Sequence, residues 1–162
     1  MLKSALLFFV LIFPSVVFAR LGESENELIV RFGKPVSKVK ETTSAQGKFP
    51  EIGMILTFRQ GDWSIQCSLT DGRCSKISYS KSGDWSNDQI LTVLNSNSQG
   101  ARWSEISNDA IKNLQRTWKR ADGGIATWQL ASGMTLTNPA YDRAKSRAEA
   151  KAKGDAAKIP KI

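Results

Sequence analysis

The sequence predicts an α+β fold in which antiparallel β-meanders carry two main helices packed on one face. Three observations lead there. Residues 63–69 alternate strictly, with Trp63, Ile65, Cys67 and Leu69 on one side of an extended chain and Ser64, Gln66 and Ser68 on the other. Gly-Asp or Asp-Gly pairs at Gly61-Asp62, Asp71-Gly72 and Asp122-Gly123 punctuate segments of strand character. Ser24 with Glu27 and Ser86 with Gln89 are capping boxes, each set before an apolar stripe. A sheet with one apolar face must be covered, and these two helices are what the chain supplies.

The chain opens MLKSALLFFVLIFPSVVFA. Lys3 precedes an apolar run from Ala5 to Phe13, Pro14 ends it, and Val17-Phe18-Ala19 is an acceptable cleavage site. The run is too short to span about 30 Å of hydrocarbon. Residues 1–19 therefore read as a secretory signal peptide, and the exported chain is expected to begin at Arg20. No cysteine follows Ala19, so lipid attachment of the bacterial lipoprotein kind is not encoded. The expected location is periplasmic or extracellular, with no transmembrane segment after leader removal.

The elements then follow in order. Residues 22–35 read as a short helix. Glu25 and Glu27 suit its N-terminal dipole, Leu28, Ile29 and Phe32 form its stripe, and Gly33 and Pro35 stop it. Val36–Lys40 has the character of an edge strand, and Glu41–Gly53 that of a long exposed loop. A hairpin closed at Gly61-Asp62 pairs Phe58 with Ile65, Leu56 with Cys67 and Met54 with Leu69, so turn chemistry and apolar pattern agree on one register. Ile77 and Tyr79 lie on a third strand. Around the second box, Trp85 and Ile90 form a hydrophobic staple, and Ile90, Leu91 and Leu94 face inward until Ser96–Gly100 ends the helix.

Between Trp103 and Ile111 only a helical turn near Ala110-Ile111 is suggested. Strand character returns at Gln115–Arg120, Ile125–Leu130 and Met134–Leu136. The organisation expected is a leader at 1–19, a helix-plus-meander unit at 20–80, and a second at 81–139 packed with the first as one domain. A basic Ala/Lys-rich tail at 140–162, helical or disordered, has no apolar stripe to hold it down.

The formal charge of +8 is uneven. Residues 139–162 hold seven Lys/Arg against three Asp/Glu, whereas residues 20–138 hold fifteen against twelve. Half of the basicity therefore sits in the tail, where it could keep the protein soluble or lie on an anionic surface. Without a basic, aromatic-lined motif, nucleic acid is not an expected partner.

Gly22, Ser24, Glu27, Phe32, Gly33 and Pro35, followed by Leu69-Thr70-Asp71-Gly72-Arg73, carry a resemblance. Residues 22–80 are similar to the opening of the small outer-membrane lipoprotein that assists β-barrel assembly, and to the α-then-β modules of secreted β-lactamase inhibitor proteins. The resemblance implies a capped helix packed on an antiparallel sheet, and either an assembly-support or an inhibitory role. Two departures stand out: the chain lacks the lipid-attachment cysteine, and one helix stands where those modules have two.

Chemistry is sparse. The chain contains no histidine, which removes the commonest general base, the Ser-His and Cys-His pairs and most zinc sites. No phosphate-cradling glycine loop is present, and no carboxylate pair can be placed for glycoside hydrolysis. No cofactor is expected. Trp118 and Arg120 are the one aromatic–cationic cluster. They could form a stacking platform with an anion contact, or else Trp118 is buried and Arg120 is solvated at the strand end.

A disulfide between Cys67 and Cys74 is expected from an exported chain with two cysteines. Register argues both ways. A three-residue loop at 70–72 pairs Cys67 with Ser75 and turns Cys74 away. A four-residue loop at 69–72 sets Cys67 opposite Cys74 and needs a bulge near Ser75 to return Ile77 and Tyr79 to the core. The function expected is a non-catalytic secreted or periplasmic binding or envelope assembly-support module. A secreted enzyme inhibitor is the alternative, and a small hydrolase the third reading. The partner, an envelope protein or an anionic surface, is left open.

Overall fold

The structure, a computed structural model, describes residues 18–45 and 47–157. The leader as far as Val17 and the last residues of the tail lie outside the described residues. An eight-stranded antiparallel sheet forms the body, with strand order β1-β2-β3-β4-β8-β7-β6-β5. Its strands are β1 (Ser37–Thr42), β2 (Glu51–Gln60), β3 (Trp63–Thr70), β4 (Arg73–Lys81), β5 (Trp103–Glu105), β6 (Gln115–Arg120), β7 (Ile125–Gln129) and β8 (Gly133–Thr137). Helix α1 (Glu25–Phe32) precedes the first four strands, and α2 (Asn87–Ser96) precedes the last four. Each unit contributes a helix and a meander. The two meanders join where their last strands meet, with Ile77 opposite Leu136 and Tyr79 opposite Met134.

Both helix starts close as capping boxes, at Ser24 with Glu27 and at Ser86 with Gln89. The first hairpin has the register the sequence predicts, with Phe58 opposite Ile65, Leu56 opposite Cys67 and Met54 opposite Leu69. Leu56, Phe58, Trp63, Ile65, Leu69, Ile77 and Tyr79 are buried with Leu28 and Phe32 of α1 and Ile90, Val93 and Leu94 of α2. Ile29, placed on the same stripe, is only half-buried. Both helices thus cover one apolar face, as expected.

The second hairpin follows neither loop weighed from the sequence. Thr70 pairs with Arg73, so the loop is the two residues Asp71 and Gly72. Both have positive φ, 51° and 74°, the pattern of a type I′ turn, whose twist matches that of the flanking strands. A bulge then displaces Ser75, because Leu69 pairs with Cys74 while Ser68 pairs with Lys76. The two-residue turn sets Cys74 opposite the inward-facing Leu69, and the bulge then restores Ile77 and Tyr79 to the core. Both cysteines are buried and free, and the pair is not at disulfide distance, so the expected bond is not formed. Cys67 stands opposite Ile77, one step diagonal from Cys74.

The tail is helical, one of the two forms expected, but it is docked rather than loose. Helix α3 (Pro139–Ala157) packs on the opposite face of the sheet, against β2, β3 and β4. Its contact stripe is small and polar: Ala144 and Ala152 are buried, and Tyr141 donates to Glu41 Oε1 at 2.8 Å. Thr43 Oγ1 donates to Glu149 at 3.0 Å, and Arg147 pairs with Asp71 at 2.7 Å. An apolar stripe is unnecessary because this sheet face is itself polar, with Glu41, Thr43, Ser68, Thr70 and Ser75 buried on or beside it. No helix among the described residues is long and apolar enough to cross a membrane.

Candidate functional site

Trp118 and Arg120 alternate inward on β6, and both are buried. The Arg116 guanidinium lies 4.9 Å from the centre of the Trp118 ring, so this ring presents no open stacking platform. Arg120 is 1% exposed. Its Nε and Nη2 each donate to an Asp122 carboxylate oxygen at 2.7 Å, and Nη2 also donates to Gln99 Oε1 at 2.9 Å. Nη1 donates to the Asn97 carbonyl, and the guanidinium lies 5.0 Å from the Trp103 ring centre. The guanidinium is thus satisfied from within the protein, which differs from both an anion contact and a solvated strand end. The hydrogen bonds it donates hold the Asp122 carboxyl below the usual carboxylate range.

Cys67 and Cys74 belong to the core rather than to a surface redox site. The neighbouring Cys67 side chain and burial both push the Cys74 thiol upward, which keeps it protonated and unreactive. Burial does the same to the Tyr79 phenol.

The polar centre that sequence reasoning missed is Asn97, the C-cap of α2. It is fully buried. Its Nδ2 donates to the carbonyls of Ala19 and Val93, both at 3.0 Å, and its Oδ1 accepts from Leu21 N at 2.9 Å. Tyr79 Oη donates to the same Ala19 carbonyl at 2.8 Å, and Gln99 donates to the Leu21 carbonyl. Residues 18–23 are thereby strapped across the core end of α2. A cleft of about 770 Å³ opens between that strap and α1, bordered by Arg20, Glu23, Asn26, Val30, Arg31 and Gln99. An Asn among polar helix-ending residues gives no sign in the sequence of such a role.

A second surface is apolar. Ile111 (43% exposed) and Leu114 (60%) come from the β5–β6 connection, and Leu130 (51%) from the β7–β8 turn. With Gln115, Gln129 and Ala131 they line a shallow hollow of about 470 Å³. Leu130 N donates to the Leu114 carbonyl at 2.9 Å, which holds the two segments together. Ile106, 57% exposed, stands in the same connection. The helical turn expected near Ala110-Ile111 is the 3-10 turn Asp109–Ile111, capped by Asn108. It is this turn that lifts Ile111 to the surface.

These features define a class: an antiparallel α+β protein of two helix-plus-four-strand units sharing one sheet, with a buried polar strap and an apolar end. No protein-family model, no curated protein and no solved structure matches the chain.

Proposed function

We propose that this protein is a non-catalytic binding module of the cell envelope that supports a protein partner by docking its apolar end. The observation that carries the reading is the grouping of Ile111, Leu114 and Leu130 around one hollow at the surface. Contiguous exposed apolar surface is characteristic of interaction sites, whereas single exposed apolar residues need no explanation. A partner covering these side chains would gain roughly 1.5–3 kcal/mol for each one fully desolvated.

Affinity capture from the envelope fraction tests the reading, using the parent chain beside the Leu114→Asp/Leu130→Asp variant. The parent is expected to retain a defined envelope protein that the variant loses. Equal capture by both chains would contradict the docking surface. Recovery of one soluble enzyme, inhibited on binding, would instead favour the secreted-inhibitor alternative.

A further inference from the structure

We infer that processing after Ala19 vacates a preformed slot, and that the slot takes the C-terminal end of an apolar peptide: an aromatic residue, then a small residue bearing a free carboxylate. The inference rests on the export reading of residues 1–19 and concerns a site separate from the apolar end. It begins from a conflict. The residues expected to leave with the leader, Phe18 and Ala19, are both buried, and Ala19 has no exposed surface.

The seat is built from three sides. The Phe18 ring meets Trp63 edge-to-face at 5.8 Å and 89°, and Tyr79 at 5.8 Å and 72°. Trp63 is braced in turn by Trp85, at 4.8 Å and 81°. Tyr79 Oη and Asn97 Nδ2 converge on the Ala19 carbonyl at 2.8 and 3.0 Å. With Ala19 gone, Asn97 Nδ2 keeps its bond to Val93, but the Tyr79 hydroxyl loses its acceptor among the described residues. A buried donor without a partner is costly, and a ligand that restores the acceptor recovers that cost.

The downstream half of the strap is held independently of the upstream half. Leu21 N donates to Asn97, Gly22 N to the Cys74 carbonyl at 2.7 Å, and Cys74 N to the Glu23 carbonyl at 2.7 Å. Asn97 itself is fixed through its carbonyl by Arg120. The walls therefore persist when residues 18 and 19 leave, and little ordering remains for a ligand to impose.

The polar end follows from the hydrolysis itself. Water adds across the bond between Ala19 C and Arg20 N, leaving a carboxylate on the leader fragment and an ammonium on Arg20. Arg20 N already donates to Glu23 Oε2 at 2.9 Å, so the new ammonium is formed beside a carboxylate. A bound peptide carboxylate would place one oxygen where the Ala19 carbonyl now accepts from Tyr79 and Asn97. Its other oxygen would face the Arg20 ammonium. An aromatic side chain one residue earlier fills the space between Trp63 and Tyr79.

The test begins with the intact mass of the protein recovered after export, expected to match a chain starting at Arg20. That chain is then titrated with acetyl-Val-Val-Phe-Ala as the free acid, followed by tryptophan emission and by Tm. Saturable binding with a rise in Tm is expected. The C-terminal amide and acetyl-Val-Val-Ala-Ala should each bind at least tenfold more weakly, and Tyr79→Phe should weaken the free acid about tenfold. An exported chain that retains Phe18 would overturn the inference, as would no saturable response at millimolar peptide, or equal responses to the Phe and Ala peptides. The peptide series needs no mutant to fold. The Leu114→Asp/Leu130→Asp variant is expected to bind the peptide as its parent does, so failure at the slot and failure at the apolar end are read separately.

Discussion

Arg120 and Asp122 face one another across the turn that leaves β6, joined by two parallel hydrogen bonds of 2.7 Å. The arginine side chain has no exposed surface, whereas about half of the aspartate side chain is in water. Asp122 therefore acts as a solvated counter-ion at the mouth of a buried cation. The same guanidinium clamps the Asn97 carbonyl, and Asn97 holds the strap at Ala19 and Leu21.

Asp122→Asn leaves the guanidinium buried without its counter-ion; because Asp122 is half in water, the cost falls below the roughly 3–5 kcal/mol of a fully buried pair. Urea unfolding should show a clear fall in midpoint, while Lys119→Ala, at an exposed neighbouring position, should leave it in place. Equal midpoints would show that Gln99 and Asn97 alone satisfy Arg120. The pair also sets an acid limit. The Asp122 pKa is lowered in the fold, so its stabilisation is present above the ordinary carboxylate value and is lost as pH falls through the lowered one.

The free cysteines make a second prediction. A thiol reagent should find no reactive group in the native protein and two per chain after unfolding without reductant. Unfolded protein that yields none would mean that a disulfide forms. Alkaline stability follows from the same residues. The folded pKa values of Cys74 and Tyr79 are raised well above the ordinary 9.0 and 10.0, so their contribution is full below those values. It declines as pH climbs beyond them, because only the unfolded chain then ionises. The unfolding midpoint should therefore drop above about pH 9.

Helix α3 is a structural part of the domain rather than a loose tail. Glu41 is buried, Tyr141 is the donor to its Oε1, and its Oε2 has no partner among the described residues. Tyr141→Phe removes the bond and should cost about 1–3 kcal/mol. At roughly 2–4 °C per kcal/mol for a domain of this size, Tm should fall measurably. Lys145→Ala, on the exposed side of α3, is the control expected to change nothing. An unchanged Tm for Tyr141→Phe would restore the undocked tail that the sequence alone suggests.

Much of the fold was legible because local chemistry and apolar period agreed. The two Ser-boxed helices and the 54–69 hairpin register needed only nearest neighbours to specify them. The failures share a cause, since each depended on a partner distant in sequence. Docking of α3 required knowing that the second sheet face is polar, with Glu41 and Thr43 waiting for Tyr141 and Glu149. The inward turn of Cys74 follows from the two-residue type I′ turn, which also makes a bulge at Ser75 necessary, since without it Ile77 and Tyr79 would lie on the wrong face. A charged Arg120 at a strand end reads from sequence alone as outward-facing. Its acceptors come from the end of α2 and from the next turn, which periodicity does not register. At the candidate sites, Asn97 and the hollow around Leu114 were equally silent, because one is a single buried amide and the other joins two separate loops.

The docking surface is the central claim, and photo-crosslinking in the cell tests it most directly. A benzophenone amino acid placed at Leu114, and separately at the exposed Val36 on the far side of the sheet order, should behave differently on irradiation. A discrete crosslinked band to one envelope protein is predicted from position 114, lost when Leu130→Asp is added, with none from position 36. The same band from both positions, or persistence of the 114 band in the Leu130→Asp background, would contradict a partner seated on the apolar end.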